Sequence, residues 1–429
     1  MPADALDAQY DVATPYASGA SYAAELREVH VSATSWYDVG RITGEAMRET
    51  IQASVRVSKG VARLEAYAST PEGASIVEGF RKLHEEVYPH HMDEVRGLAD
   101  GSQMPFLTIM LNNMVQELSQ RVPVGDTPAE PADPASKEEQ GCTDFHGLAK
   151  GRLSAWGHNE DAGAGGYIVH CNLQPRDGAA VQYSAFAYPG CIAGWAWGAN
   201  ANGVAQSINA LSAVLTPDRH AQPGLCANFV AADVLQASDL ADAVTRATIE
   251  GQAGGQHFNL ASLEDPELHL SIETSPTGCS VVEMRPPSDT EPALWYGHAN
   301  AYLRLTEHEA KLGDSLSSSL VRVQRVEALT CPGSALAIST APSIDDVIAV
   351  ESDTDGSEPY PIFRRGEAPD YGASHHTVVF DMLAGTMHVY CNARGRPSEC
   401  EPSMVLTIGG AVAASGDAPA VAAESASNL

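Results

Sequence analysis

Lysine is scarce in this chain: five among 429 residues, beside 20 arginines and 55 acidic residues, with a formal charge of −30. Nucleic-acid binding needs clustered Lys and Arg that displace counterions from phosphates; no such cluster exists, so nucleic acid is not an expected partner. An anionic membrane surface is disfavoured for the same reason. The acidity reads as a solvated, soluble surface and says nothing about fold. Long apolar runs are also missing. No stretch approaches the ~20 residues of a membrane span, and "MPADALDAQYDVATPY" at the start has neither the basic nor the apolar region of a secretory signal. The eight cysteines, at 142, 171, 191, 226, 279, 331, 391 and 400, contain no CxxC pair and read as reduced thiols, most of them buried.

What is present suits a loop-rich globular protein: 44% hydrophobic residues with 37 Gly and 26 Pro. Residues 36–121 read as helical. Val39, Ile42, Met47, Ile51, Val55 and Val61 fall near 3.6-residue spacing, Ile76, Phe80, Leu83 and Val87 repeat it behind a Thr70-Pro71-Glu72 start signal, and 105–118 gives a further helix. "VPVGDTPAEPADPASKEEQ" (122–140), with four prolines and five acids, reads as a mobile linker. Short β-type runs follow: 167–173, 180–188, 203–211, "HFNLASL" and "LHLSIETS", with a helical patch over 225–248 and a hairpin over 377–391 turning at Ala384-Gly385. The tail 411–429 is low in complexity and reads as disordered. Helices, a linker, then many strands with a helical layer make an α+β layered protein.

The junction Gly141-Cys142 ends the linker. If the bond before Cys142 were cut, one residue would carry a thiol and a free α-amine, whose ordinary pKa of ~8 suits a general base at neutral pH. Such a nucleophile carries its own base. The uncut chain could make this end itself, the thiol attacking the Gly141 carbonyl and water opening the thioester; Gly leaves the attacked carbon uncrowded. On the dipeptide alone an ordinary loop-edge thiol is the default. By themselves, Asp161 reads equally as a turn residue and Asn209 as a buried, satisfied amide. His90-His91 and His375-His376 have neither the i,i+4 spacing nor the thiolate partners of a zinc site, so no metal is expected. "DAGAGG" (161–166) lacks the strand and helix that would flank a phosphate loop. Glu273, in "SIETSP", is either structural or part of a pocket.

The stretch "GCTDF…AWGHNEDA", followed by "GANANGVAQSINAL", resembles the acyl-coenzyme A:6-aminopenicillanate (isopenicillin N) acyltransferase family. That family belongs to the N-terminal-nucleophile (Ntn) hydrolases and is related to insect β-alanyl-dopamine hydrolase. "WYDVGRITGEAMRETI" (36–51), "MDEVRGLADG" (92–101) with "MLNNMVQEL" (110–118), "LSIETSP" (270–276), "GHANAYL" (297–303) and 377–397 resemble further family blocks in order, so the likeness spans about 30–400.

The resemblance implies a four-layer αββα sandwich made as one precursor that cuts itself between Gly141 and Cys142. Residues 1–141, with the linker at 122–141, would become one chain and 142–410 the catalytic chain, an α/β heterodimer open to further oligomerisation. It implies Cys142 as nucleophile, Asp161 beside the new amine and Asn209 as oxyanion donor, with His158 and Asn159 as pocket neighbours. The family's Arg ahead of the C-terminal hairpin falls on Tyr371, with Arg364 and Arg365 the nearest basic residues, so charge from that side must come from elsewhere. The implied reaction is amide hydrolysis or acyl transfer on a small N-acyl compound, with acyl-CoA a conceivable acyl donor and no cofactor. A bile-salt- or ceramide-type N-terminal-Cys amidase and a catalytically silent binding or scaffold protein are the alternatives. A cytoplasmic location is expected; Ser-Asn-Leu at the end differs by one residue from the peroxisomal Ser-Lys-Leu address.

Overall fold

Two β-sheets stacked face to face, each covered on its outer side by helices, account for most of the described chain. The structure, a computed structural model, describes residues 26–122 and 141–410 apart from 162–164, 177, 288–292, 311–312, 338, 340, 356–359 and 368–369. The expected linker and tail therefore fall, except for Val122 and Gly141, outside the described residues, as does the middle of "DAGAGG", 162–164.

The helical reading of the N-terminal third resolves into seven helices: α1 (Trp36–Ala46), α2 (Arg48–Val57), α3 (Lys59–Ala68), α4 (Pro71–Val87), α5 (Pro89–Ser102), α6 (Phe106–Asn113) and α7 (Val115–Ser119). Hydroxyl caps set their starts: Ser35, Ser58 and Thr70 accept from Asp38 N, Val61 N and Gly73 N, with Pro71 in the first turn of α4. Two quoted family blocks, 36–51 and 92–101, pack on one another. A Cβ on Gly40 would lie 1.9 Å from Glu94 O, and one on Gly97 1.9 Å from Tyr37 O, so only glycines let α1 and α5 approach this closely.

A strand precedes these helices. Arg27–Ala33 forms β1, the edge of an eight-stranded sheet, and pairs parallel with β4 (Tyr167–Leu173), His30 opposite His170. Alternation of Val29, Val31 and Ala33 with exposed residues is the strand signal here. The sheet continues through β5 (Val181–Ala187), β6 (Trp197–Asn200), β7 (Val204–Leu211), β8 (Gly255–Ser262), β9 (Asp265–Ser275) and β10 (Gly278–Met284) as an antiparallel meander. The second sheet has six strands in the order β11 (Leu294–His298), β2 (Cys142–Ala149), β3 (Leu153–Glu160), β14 (His376–Asp381), β15 (Thr386–Cys391) and β16 (Met404–Thr407). The β14–β15 pair is the expected hairpin, Gly385 supplying positive φ at its turn. A small ribbon joins β12 (Arg365–Glu367) to β13 (Asp370–Ala373).

Three apolar clusters define the layers. The first sets α1–α7, α9 (Ala227–Val234) and α10 (Leu240–Ala247) against one face of the large sheet. The second, with Trp156, Ile168, Phe186, Trp197, Val378 and Phe380, lies between the sheets. The third packs α11 (Gly313–Thr330) and α12 (Ile344–Glu351) on the outer face of the small sheet, through Phe145, Ala155, Val326 and Val347. The fold is the expected αββα sandwich. The helical patch at 225–248 divides at Asp239, whose side chain caps α10. The five-residue helix α8 (Pro217–Ala221) lies ahead of it. Among the described residues, no helix is long and apolar enough to cross a membrane.

Candidate active site

Cys142 is the first residue of β2, and its antiparallel register with β3 places it opposite Glu160, with Asp144 opposite His158. Successive strand residues face opposite ways, so Cys142, Asp144, His158 and Glu160 share the face turned toward the large sheet. The four are fully or almost fully buried. The thiol of Cys142 donates to Glu160 Oε2 at 3.7 Å, and Tyr188 OH donates to Glu160 Oε1 at 2.5 Å. His158 spans the two carboxylates, Nδ1 3.0 Å from Asp144 Oδ1 and Nε2 3.4 Å from Glu160 Oε2. Ser207 Oγ, from β7, donates to Asp144 Oδ1 at 2.5 Å and ties this cluster to the other sheet.

The charges follow from these contacts. Burial opposes a charged His158, but Asp144, joined by the contacts with Cys142 and Glu160, holds its pKa well above the ordinary value, so both ring nitrogens donate. Burial, reinforced by the Glu160 carboxylate, pushes the Cys142 thiol up to about 12, His158 opposing.

The junction is held on its other side. Cys142 N donates to Asn300 Oδ1 at 2.7 Å, Arg322 Nη1 donates to Cys142 O at 2.6 Å and to Thr143 Oγ1 at 2.7 Å, and Arg322 Nη2 to Asn300 Oδ1 at 3.1 Å. Asp161 N donates to Gly141 O at 2.9 Å, so the carbonyl ahead of Cys142 is already polarised. The Asp161 carboxylate accepts from Ser374 Oγ at 2.5 Å and faces Arg364 Nη1 and Arg322 Nη1 at 3.7 and 3.9 Å. Burial raises its pKa, the two guanidinium groups and Ser374 pulling it back. A Cβ on residue 141 would lie 2.8 Å from Arg364 Nη1, 3.1 Å from Arg322 Nη2 and 3.3 Å from Asn300 Oδ1. The space beside the α-carbon of Gly141 takes a hydrogen, and a methyl group there would displace these side-chain ends.

Asn209 is on β7, two residues beyond Ser207 and on the same face. Its Oδ1 accepts from His257 Nδ1 at 2.7 Å, which fixes the amide, and its Nδ2 is buried with no hydrogen-bond partner among the described residues. The next residue, Ala210, accepts through its carbonyl from Asn300 Nδ2 at 3.2 Å, joining this strand to the loop that holds Cys142 N.

Of the residues expected from sequence, Gly141, Cys142, Asp161 and His158 come together, and Asn209 lies on the facing sheet with its amide N–H group unpaired. Asn159 points the other way. Its Nδ2 donates to Glu351 O and Ile362 O, and its Oδ1 accepts from Thr377, so it ties β3 to α12 and is no pocket neighbour. Tyr371 lies in β13, and its side chain is outside what the structure describes. The cationic groups sought on that side are Arg364 and Arg322, both buried. Asn300, Arg322, Glu160 and Asp144 were not singled out from sequence, although Asn300 lies inside "GHANAYL" and Glu160 inside "GHNEDA". Glu273 is structural: it accepts from His298 Nε2 at 3.0 Å and from the N–H groups of Leu303, Arg304 and Leu305, fixing the loop that carries Asn300.

Among the described residues, three groups bring possible metal-ligand atoms within 4.8 Å of one another: Cys142, His158 and Glu160; His90, His91 and Asp233; and Glu28, His30 and His170. Asp233 gives His90-His91 the third donor that sequence spacing did not reveal, but both imidazoles accept from Gln236 Nε2 at 3.0 Å and burial holds both well below the ordinary value.

A β-alanyl-dopamine/carcinine hydrolase from Drosophila melanogaster is 25% identical to the chain over 393 residues, covering 87% of this chain and 92% of that protein. Among solved structures, the penicillin V acylase of Agrobacterium tumefaciens aligns with a TM-score of 0.32 at 15% identity, covering 58% of this chain and 83% of the acylase. A mutant of the conjugated bile acid hydrolase of Clostridium perfringens aligns with a TM-score of 0.31 at 10% identity, covering 62% of this chain and 96% of the hydrolase. The family model for acyl-coenzyme A:6-aminopenicillanic acid acyl-transferase matches residues 149–396, a span that holds Asp161, Asn209, Asn300, Arg322 and Arg364. With more than half of its length matched, the chain belongs to the acyl-coenzyme A:6-aminopenicillanic acid acyl-transferase family.

Proposed function

We propose that the chain is a self-processing N-terminal cysteine amidase or acyltransferase that acts on a small N-acyl compound. The observation that carries this reading is the junction itself. A buried thiol sits one residue after a glycine whose carbonyl accepts from Asp161 N–H and whose α-carbon lies close to two guanidinium groups, while the nitrogen of the same bond is fixed by Asn300.

Cutting after Gly141 frees the α-amine of Cys142. In turnover this amine takes the thiol proton, and the thiolate attacks the substrate's amide or thioester carbonyl. The developing oxyanion is met by the unpaired Nδ2 of Asn209 and a backbone N–H; removing one such donor typically costs ~10²–10³ in kcat. Collapse expels the amine with the proton held by Cys142, leaving a thioester on Sγ. Water then gives a hydrolase, and an acceptor amine gives an acyltransferase. Nearby cations favour the neutral, basic form of the α-amine, and the Asp161 carboxylate limits that effect. The likeness to the β-alanyl-dopamine/carcinine hydrolase along most of both chains supports a short N-acyl amine as substrate and leans the reading toward hydrolysis.

Intact mass spectrometry of the purified protein tests this. The expected result is two species ending and beginning at Gly141 and Cys142, with C142A remaining whole and releasing no amine from a panel of short N-acyl amines. A single unbroken wild-type species whose Cys142 resists alkylation would favour a silent scaffold.

A further inference from the structure

The α-amine cannot start the first reaction. In the uncut chain the nitrogen of Cys142 is an amide that already donates to Asn300, so it has no lone pair for the thiol proton. The thiol is buried, and at neutral pH it stays protonated. Another group must therefore open the bond that later supplies the amine.

The groups around the thiol can be taken in turn. On β2 and β3 these are Asp144, His158 and Glu160, with Asp161 just beyond the strand; Tyr188 follows β5, Arg322 is on α11, and Arg364 and His375 precede β12 and β14. Asp161 is turned to the other face of the sheet and is engaged by Ser374 and the two arginines. Both nitrogens of His158 face carboxylate oxygens, so neither offers a lone pair to sulfur. A guanidinium group has no acceptor atom, and Tyr188 donates its hydroxyl to Glu160. His375 donates its backbone N–H to Glu160 O, and the residue opposite Cys142 in the strand register is Glu160. Of these groups Glu160 presents an acceptor oxygen to Sγ, at 3.7 Å, and the strand register fixes it there.

We propose that Glu160 is the base for the chain's own cleavage, with His158 as the positioning residue that holds its carboxylate and stabilises the thiolate. The inference rests on the self-processing reading. Glu160 Oε2 takes the Sγ proton. The sulfur's electron pair forms an S–C bond to the Gly141 carbonyl carbon, the oxyanion meeting Asp161 N–H. The C–N bond to Cys142 then breaks, and its nitrogen takes the proton back from Glu160 and becomes the α-amine. Water adds to the thioester, the S–C bond breaks, Gly141 leaves as a carboxylic acid and the thiol is restored. One water is consumed, and no oxidant, metal or nucleotide enters. Glu160 thus serves the chain once, as base for its own cleavage, before the amine takes over.

Full-length wild type, C142A and E160Q, made in a cell-free extract and quenched at intervals, are followed by intact mass. At pH 7 the E160Q chain is expected to cut about 10²-fold or more slowly than wild type, the usual worth of a general base. Its rate should climb about tenfold per pH unit from about 7.5 to about 10, as solution base replaces the carboxylate against a thiol that ionises only in strong alkali. Wild type should stay nearly flat there. E160Q cutting at the wild-type rate overturns the inference, and so does slow cutting that no pH restores in a chain that melts like wild type. If E160Q fails to fold, E160D decides: its shortened carboxylate must cut more slowly than wild type and regain rate in alkali, and wild-type cutting by E160D overturns the inference. A wild-type chain that stays whole defeats the self-processing reading and takes this inference with it, whereas cutting by wild type and E160Q at equal pace removes this inference alone.

Discussion

At Gly141 one hydrogen atom decides how closely the surrounding side chains approach the bond before Cys142. Any Cβ there meets Arg364, Arg322 and Asn300, and Asn300 holds the nitrogen of the bond while Arg322 holds Asn300. Their contact atoms are side-chain ends, so the chain can yield without unfolding, but it yields by moving the groups that position the reaction. G141A is therefore expected to keep its melting temperature within a few degrees while cutting at least about tenfold more slowly, since small misplacement of reacting groups is costly. Intact mass over time, with a melting curve alongside, checks this. The sequence carried part of this site: the small residue before a thiol, the acid beyond the hairpin and the amide in "SINAL". It did not carry Arg322 or Asn300, 180 and 158 residues from Cys142 along the chain, because their partnership exists only once α11 and the loop after β11 are packed. Nor did the sequence assign Glu160 over His158, since only the β2–β3 register decides which side chain meets sulfur.

At the scale of elements, the loop after β11 depends on a single buried carboxylate. Burial opposes charge on Glu273, but His298 and the N–H groups of Leu303 and Leu305 hold it at about 2. A folded-state value below the unfolded one, near 4.5, means this stabilisation is complete above about pH 4.5 and is lost as pH falls toward 2. The shift corresponds to about 3 kcal/mol. E273Q turns an amide against backbone donors and should lower stability by about 2–3 kcal/mol at pH 7. It should also flatten the loss of stability between pH 4.5 and 2, and slow cutting and turnover together as Asn300 loosens. Melting curves across that pH range and a turnover assay check it. Elements with strong local signals were legible: the strand 167–173 falls where the residues put it, and α4 begins at its Thr-Pro signal. Helices α11 and α12 were missed. The first is rich in serine and the second lies between loops, and both owe their place to packing on the small sheet.

For the whole molecule, a cut after Gly141 would leave the largest apolar cluster shared between two pieces. Helices α1–α7 bury Val39, Ile51, Leu98 and Ile109 in the same cluster as Val169, Ile208 and Phe258, and β1 pairs with β4 along seven residues. A chain cut after Gly141 is therefore expected to elute as one complex and to separate only in denaturant; native and denaturing mass spectra of one sample check this. Cleavage with loss of residues 1–141 would contradict it. The layered class was readable because the helical and strand periodicities occupy different stretches of chain. Edge strand β1 was not, although Val29, Val31 and Ala33 alternate in it, because its partner β4 lies far along the chain.

That parallel edge has a consequence for how the parts are supplied. Parallel neighbours cannot be joined by a tight turn, and here the chain runs through seven helices between them. Encoded as separate products, the two pieces would have to find one another by diffusion and be made in equal dose. On the self-processing reading, a single chain would deliver both at once, at fixed ratio, already threaded into place before any bond was broken.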